Sequence, residues 1–243
     1  MIWSLFLLLL LQAGHSIANT EKVIFLGPAS LEIPVEHPTL DDLQLDILSP
    51  QRWSLRTHLR AEFPTVEAKH GEATWLVLNG LTEGQRYEVR ICWAATQPTS
   101  FQLETYELQA VFENPELITS LARFSESRQP PEKPLEDLAS NAAAELKSSK
   151  QSYHDGSSVL LLQILTAADY HTKNQTLMKH VPPVYVDIIL DPFLFNVFPR
   201  SLVPTAAHIL IVAVAGIFLS KYIARWIIDV ATKGNSTTEK KTA

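Results

Sequence analysis

The amino-acid sequence predicts a mainly β protein, in which a β-sandwich is followed by a linker and a single C-terminal transmembrane helix. Three observations indicate this: short runs of alternating apolar and polar residues, turn residues at short spacing between the runs, and one long apolar stretch near the C-terminus. Alternation with a period of two is typical of strands with one buried face, and short strands at such spacing favour a sandwich. A long apolar stretch predicts a membrane span.

The N-terminus carries a predicted signal peptide, residues 1–18. An apolar run over residues 2–11 is followed by small residues at Ser16 and Ala18, as signal peptidase prefers. We therefore expect cleavage after Ala18. The alternative is an uncleaved signal anchor, but the apolar run is too short to span a bilayer comfortably.

Residues 19–112 are predicted to form the β-sandwich. In residues 52–63 apolar side chains occupy one phase of the alternation and polar side chains occupy the other. Similar runs are VIFLG, LQLDIL, ATWLVL, RYEVRICW and SFQLETYEL. Together these runs predict six or seven strands.

One segment of this region has a more specific pattern. Leu81 precedes Tyr87 by six positions with Gly84 in the turn between them, and Tyr87 opens an alternating strand with Val89 and Ile91 on its phase. The pattern resembles the tyrosine corner of fibronectin type III and immunoglobulin-like sandwiches, where the tyrosine hydroxyl bonds to backbone near the preceding turn. The resemblance implies a structural role for Tyr87 and a sandwich of that class.

The opposite phase of the same strand is polar and carries Arg86, Glu88, Arg90 and Cys92. Two interpretations are open. Cross-strand pairs of opposite charge would make an ordinary solvent-facing surface. A basic docking surface would instead combine these arginines with the basic side chains at positions 56, 58 and 60.

After the sandwich, residues 113–157 are predicted to form a polar, proline-rich linker, with a short helix before the prolines. Residues 158–200 contain two apolar runs, SVLLLQIL and VYVDIIL, which predict buried strands that either return to the sandwich or form a small membrane-proximal unit. Between these runs Asn174 begins an N-x-T sequon and is a predicted N-glycosylation site. A second sequon at Asn235 lies in the predicted cytosolic tail and should stay unmodified.

The predicted transmembrane helix covers residues 202–220, with an alternative end at residue 228. These nineteen residues contain no Asp, Glu, Lys or Arg and are about 28 Å long as a helix, which is close to the thickness of the endoplasmic reticulum bilayer. Several basic residues follow the span, whereas only Arg200 precedes it closely. The positive-inside rule therefore places the N-terminal bulk in the lumen and the tail, residues 229–243, in the cytosol.

The tail ends with Lys240 and Lys241, at the fourth and third positions from the C-terminus. This pair looks like the dilysine retrieval signal of type I membrane proteins of the endoplasmic reticulum, an address that coat proteins read. The alternative is a chance pair of lysines in a polar tail. We expect residence in the endoplasmic reticulum membrane.

Three phenylalanines, Phe193, Phe195 and Phe198, lie shortly before the span. Aromatic side chains at this position either rest in the lipid headgroup region or pack against a multi-span partner. We treat them as candidate partner contacts.

Motifs for catalysis are lacking in the sequence: we find no metalloprotease, nucleophile-elbow or Walker pattern and no paired-cysteine metal spacing. We therefore predict no catalytic, cofactor-binding or metal-binding residue, no cofactor and no enzymatic activity. The net charge of -6 argues against a nucleic-acid partner. The single cysteine, Cys92, predicts a chain with no internal disulfide.

Two segments, YEVRICWAATQPTSFQLETY and YVDIILDPFLFNVFPRSLVPT, together with this layout, resemble the fungal accessory subunit of glycosylphosphatidylinositol (GPI) mannosyltransferase II. The resemblance implies a non-catalytic partner of the polytopic enzyme of the endoplasmic reticulum membrane that adds the second mannose to the anchor precursor. It rests on no sharp motif, so it assigns no functional residue. An escort or cargo receptor cycling between endoplasmic reticulum and Golgi, and a cell-surface adhesion receptor, are the alternatives.

Overall fold

The computed structural model describes residues 18–30, 40–66, 68–129 and 158–239. The chain divides into two compact units, residues 1–197 and residues 198–243. Most of the predicted signal peptide, residues 130–157 of the predicted linker, and Lys240 and Lys241 lie outside the described residues. Ala18, the predicted cleavage position, is the first residue of the first strand.

The described part of the first unit contains eight strands and three helices. The strands are β1 (Ala18–Leu26), β2 (Asp46–Leu48), β3 (Ser54–Leu59), β4 (Glu72–Leu81), β5 (Arg86–Ala94), β6 (Thr99–Tyr106), β7 (Ser158–Ala168) and β8 (Val184–Leu194). The helices are α1 (Leu108–Glu113), α2 (Pro115–Arg128) and α3 (Gln175–Lys179), and a 3-10 turn covers Leu40–Leu43.

These strands form two sheets, which confirms the prediction of a mainly β protein. The first sheet has the order β1-β5-β8-β3, with every neighbouring pair antiparallel. The second has the order β2-β4-β7-β6, in which only the β2–β4 pair is parallel. Among the described strands this is not the ABED and CFG arrangement of immunoglobulin constant-type domains. The structure therefore supports a two-sheet β domain, and the fibronectin or immunoglobulin class stays a prediction.

The two late apolar runs form the strands β7 and β8, and both are interior strands of their sheets. β7 lies between β4 and β6, and β8 lies between β5 and β3. All residues of β7 except Leu165 are buried. A strand covered on both faces reads as a continuous apolar run instead of an alternating one. Residues 158–194 are therefore part of the same two sheets as residues 18–106.

Two apolar cores account for this burial. The first lies between the sheets, and its members include Leu59, Leu76, Leu78, Tyr87, Val89, Ile91, Leu162, Ile164, Val186, Ile188 and Leu190. The second lies between the outer face of the second sheet and the helices α1 and α2, and its members include Trp75, Val77, Leu108, Val111, Leu121, Val159 and Leu161. The second sheet is thus covered on both faces.

Helix α2 lies within residues 113–157, where a short helix was expected inside a linker. The side chain of Asn114 accepts hydrogen bonds from the backbone N–H groups of Glu116 and Leu117 at 2.9 and 3.4 Å, and Pro115 occupies the first turn. An asparagine cap followed by proline is a strong helix start. Leu121 is buried in the second core, so residues 115–128 are a packed part of the domain.

The second unit consists of β9 (Phe198–Pro199), a 3-10 turn at Arg200–Leu202 and the helix α4 (Val203–Glu239). The segment Arg200–Val230 is long and apolar enough to cross a membrane. This confirms the predicted C-terminal apolar helix by length and composition. The helix continues to Glu239, so residues 229–239 of the predicted tail are helical.

Candidate partner-binding site

The outer face of the first sheet carries the charged side chains for which the sequence left two interpretations open, cross-strand ion pairs or a basic docking surface. Arg56 on β3 lies directly across from Asp187 on β8, and its Nε and Nη2 groups donate to the two carboxylate oxygens at 2.6 and 2.9 Å. This hydrogen-bonded arginine lowers the pKa of Asp187 and raises the pKa of Arg56 itself. A bidentate pair of this kind fixes the geometry of both side chains.

A second set of ion pairs lies on the same face around β5. The carboxylate of Glu88 is 3.1 Å from Lys22 Nζ and 3.5 Å from Arg90 Nη1, and the same Arg90 nitrogen lies 3.6 Å from the carboxylate of Asp191. Glu88 and Asp191 are buried, so these pairs satisfy carboxylates that are withdrawn from water. The charges of Arg56 and Arg90 are thus engaged within the sheet, as the cross-strand interpretation expects.

Tyr87 joins the end of β4 to the start of β5. Its side chain is 1% exposed, and its hydroxyl accepts a hydrogen bond from the backbone N–H of Thr82 at 3.0 Å. The same hydroxyl donates to Gln85 Oε1 at 2.9 Å. Gly84 in this turn has φ +69°, a conformation that glycine adopts without strain. The Tyr87 hydroxyl thus bonds to backbone near the preceding turn, and its assignment as a tyrosine corner of the fibronectin or immunoglobulin class stays a prediction.

Next to this corner, β8 ends in a tight turn, residues 194–197, which we call the tip. The backbone N–H of Val197 donates to the carbonyl of Leu194 at 3.1 Å. The two central residues, Phe195 and Asn196, have φ values of 53° and 59°. Positive φ at both central positions defines a type I′ turn, which Gly, Asn and Asp dominate. A phenylalanine in this conformation is strained by about 1–2 kcal/mol.

Asn196 holds the strained turn in place. Its Oδ1 accepts the backbone N–H of Arg86 at 2.8 Å, and its Nδ2 donates to the carbonyl of Gly84 at 2.8 Å. In addition, Gln85 Nε2 donates to the carbonyl of Phe193 at 3.3 Å. The tip is therefore tied to the turn between β4 and β5, the same turn to which the Tyr87 hydroxyl bonds.

The three phenylalanines predicted as partner contacts lie in three different environments. Phe195 is 97% exposed at the centre of the tip. Phe193 is only 6% exposed, and the guanidinium carbon of Arg86 lies 5.9 Å from its ring centroid. Phe198 is half-buried and belongs to the second unit. The ring of Phe193 is thus packed beside Arg86, and its role as a partner contact stays a prediction.

The tip was missed as a turn because its sequence, Leu-Phe-Asn-Val, contains no glycine and continues the apolar pattern of β8. The only local signal is Asn196, since asparagine tolerates positive φ better than other non-glycine residues. Val197 in the same turn is 77% exposed, and Leu194 is also exposed. The tip thus presents three neighbouring apolar side chains to solvent.

Asn174 lies at the other end of the sandwich, in the connection between β7 and β8. It is exposed and caps α3, and its Oδ1 accepts the backbone N–H of Thr176 at 3.0 Å. The eleven residues of β8 separate this end from the tip, a distance of about 35 Å in a strand. Glycosylation of Asn174 stays a prediction.

Within the part of the chain that the structure describes, no three His, Cys, Asp or Glu side chains are grouped to hold a metal ion. Cys92 is half-buried with a free thiol, and its sulfur accepts a hydrogen bond from the Thr20 hydroxyl at 3.6 Å.

The chain thus combines a two-sheet β domain, which has internally paired charges and an exposed apolar tip, with one helix that could span a membrane. Residues 9–124, a little under half of the chain, match the family described as Pga1, GPI-Mannosyltransferase II co-activator. This match confirms the resemblance to the accessory subunit of that enzyme. The tip and α4 lie outside the matched residues. No curated protein and no solved structure matches the chain.

Proposed function

We propose that this chain is a non-catalytic accessory subunit of the membrane mannosyltransferase that adds the second mannose in GPI-anchor biosynthesis. The observation that carries the proposal is the match of residues 9–124 to a family described as a co-activator of this enzyme. A co-activator acts on an enzyme and need not carry catalytic groups of its own. Catalysis would then belong to a polytopic partner in the endoplasmic reticulum membrane.

The proposed topology is single-pass, with the sandwich in the lumen and the C-terminus in the cytosol. The apolar segment Arg200–Val230 supports one span, and the excess of basic residues after it supports this orientation. In this topology Asn174 would meet the lumenal glycosylation machinery, and its exposure supports modification there. Lys240 and Lys241 would return the protein to the endoplasmic reticulum through coat proteins.

A binding role is supported by the contrast between the sheet faces, which are occupied within the domain, and the exposed side chains of α4. In the described residues, α1 and α2 cover the outer face of the second sheet, while ion pairs occupy the outer face of the first. The side chains of α4 from residue 203 to residue 230 are exposed. Helices associate in membranes by close packing of such side chains, so α4 is the surface that we assign to the polytopic partner.

Affinity purification of the full chain in mild detergent tests this proposal. The tag is inserted after Ala18, so that the terminal carboxylate and both lysines stay free. We expect a polytopic mannosyltransferase in near-stoichiometric yield. A matched control with Lys240→Ser and Lys241→Ser should change cellular location while leaving recovery of the enzyme from detergent unaltered.

Other outcomes would overturn the proposal. Recovery of coat proteins and soluble cargo without a transferase would make the chain a cargo receptor. Unchanged location of the Lys240→Ser, Lys241→Ser variant, together with no enzyme in the eluate, would favour a cell-surface receptor.

A further inference from the structure

We propose that the tip, residues 194–197, inserts the ring of Phe195 into the lipid headgroup and acyl boundary of the membrane, so that Phe195 is a lipid contact of this chain. The proposal rests on the membrane span of the proposed function. It reassigns Phe195 from the polytopic partner, which the sequence suggested, to the bilayer itself.

The tip has the surface chemistry of an interfacial anchor. Phe195 is 97% exposed and Val197 is 77% exposed. No charged residue occurs between Pro192 and Pro199. Apolar side chains that project together from a surface mark a site for a protein or a membrane, and a phenylalanine among them suits the lipid interface.

The conformation of the tip is fixed before any contact forms. Phe195 is held at φ 53° by the two hydrogen bonds that Asn196 makes to the β4–β5 turn. A turn with only a structural role would place glycine or asparagine at this position. Strain that the surrounding structure maintains points to a function for the strained residue. Here the strained residue directs a large apolar ring into solvent.

Two observations favour lipid over a protein groove. The tip is a convex turn of four residues, whereas a stable protein interface buries about 800 Å² on each partner. Phe195 also precedes Arg200, the first residue of the candidate span, by five positions. Five extended residues cover at most about 18 Å, so the chain itself keeps Phe195 within reach of the interface of the bilayer that the span enters.

The test uses site-directed fluorescence on the full chain in phosphatidylcholine vesicles, without any partner enzyme. Cys92→Ser removes the single cysteine, and Phe195→Cys then accepts an environment-sensitive nitrobenzoxadiazole label. We expect blue-shifted emission, quenching by lipids with a nitroxide near the headgroup, and protection from aqueous iodide. A label at Val197→Cys keeps the Phe195 ring and should behave in the same way.

Two control positions make the outcome decisive. Val66 is 92% exposed in the connection between β3 and β4. This connection follows Leu59, which pairs with the first residue of β8, so it lies at the end of the sandwich away from the tip. A label at Val66→Cys should be quenched by iodide and not by lipid. A label at Val214→Cys in α4 should be quenched by lipid, and its failure would show that the proposed span, and not the tip alone, is wrong.

The inference is overturned if the labels at 195 and 197 respond like the label at 66 while the label at 214 reports lipid. If those two labels are open to iodide in vesicles and become protected only when the mannosyltransferase is added, the tip contacts that protein and the lipid assignment is wrong.

Discussion

The outer faces of the two sheets are built in opposite ways. On the second sheet this face is apolar and packs under α1 and α2, with Trp75 donating its indole N–H to Ser120 on α2 at 3.1 Å. On the first sheet the outer face carries cross-strand ion pairs such as Arg56 with Asp187. Although they differ, both faces are already engaged within the domain, one by helices and the other by ion pairs. Interaction with other molecules is therefore expected at the tip and along α4.

The largest effect should come from removing an apolar side chain of the covered face. Leu161 on β7 is fully buried in the second core, so Leu161→Ala should lower the free energy of unfolding by about 2–5 kcal/mol. Ile24 lies on the outer face of the first sheet and is half exposed, so Ile24→Ala should change the free energy of unfolding by less than about 0.5 kcal/mol. Denaturant unfolding followed by tryptophan fluorescence measures both. Equal losses would mean that the two faces do not differ as described.

The next effect concerns the two hydrogen bonds by which Asn196 holds the tip. Asn196→Ala removes two hydrogen bonds and leaves alanine at positive φ, so we expect a loss of about 1–3 kcal/mol in the same unfolding measurement. Asn196→Gly removes the same bonds but keeps a residue suited to positive φ, and it should cost less. An alanine variant as stable as the wild type would show that the hydrogen bonds of Asn196 do not hold the turn.

A smaller effect is expected at the tyrosine corner. Tyr87→Phe keeps the buried ring and removes the hydroxyl that bonds Thr82 and Gln85, so it should cost about 1 kcal/mol of unfolding free energy. Tyr185→Phe on the exposed face is the matched control and should be close to neutral. Hydrogen exchange of the Thr82 amide gives a direct readout, and unchanged protection in Tyr87→Phe would contradict this role.

The smallest effects are the contributions of two carboxylates, Glu72 and Asp187, to stability, which should depend on pH in opposite ways. Burial raises the pKa of Glu72 above its ordinary value of 4.5, so the ionised form is disfavoured in the folded chain. Ionised Glu72 therefore destabilises the fold, and this penalty grows as pH rises from 4.5 through the raised pKa of the folded state. Glu72→Gln should stabilise the fold at neutral pH, by less than about 0.5 kcal/mol, and the gain should vanish in acid.

Asp187 should show the opposite sign, because Arg56 lowers its pKa. Its stabilising contribution is present above the ordinary value of 3.8 and is lost as pH falls through the lowered folded pKa. Asp187→Asn should therefore weaken the fold slightly at neutral pH, and less in acid. Unfolding curves at pH 7 and at acidic pH measure both variants. If Glu72→Gln and Asp187→Asn changed the free energy of unfolding at pH 7 with the same sign, these assignments would be wrong.

Several parts of the fold were readable from the sequence because local patterns determine them. Alternation predicted β3 and β5, and the unbroken apolar run of β7 predicted a buried strand. The spacing from Leu81 to Tyr87 located the corner between β4 and β5. In these cases the local period and the turn residues already carry the signal.

The rest depends on contacts that are distant in the sequence. The pairing of β8 with both β5 and β3 cannot be read from periodicity, because the pairing partners are remote in the chain. Phe193 and Phe195 look equivalent in the sequence, yet the turn at Asn196 separates a packed ring from an exposed one. A short helix was expected at helix α2, where Asn114 and Pro115 give a local signal, but its packing against the second sheet could not be read from the segment.

In the proposed function, this chain supports the second mannosylation of the GPI precursor without catalysing it. The most direct test measures that reaction in endoplasmic reticulum membranes depleted of the chain and then resupplied with it. We predict that the one-mannose precursor accumulates on depletion and is converted again when the full chain is restored. Conversion at an unchanged rate in depleted membranes would contradict the account.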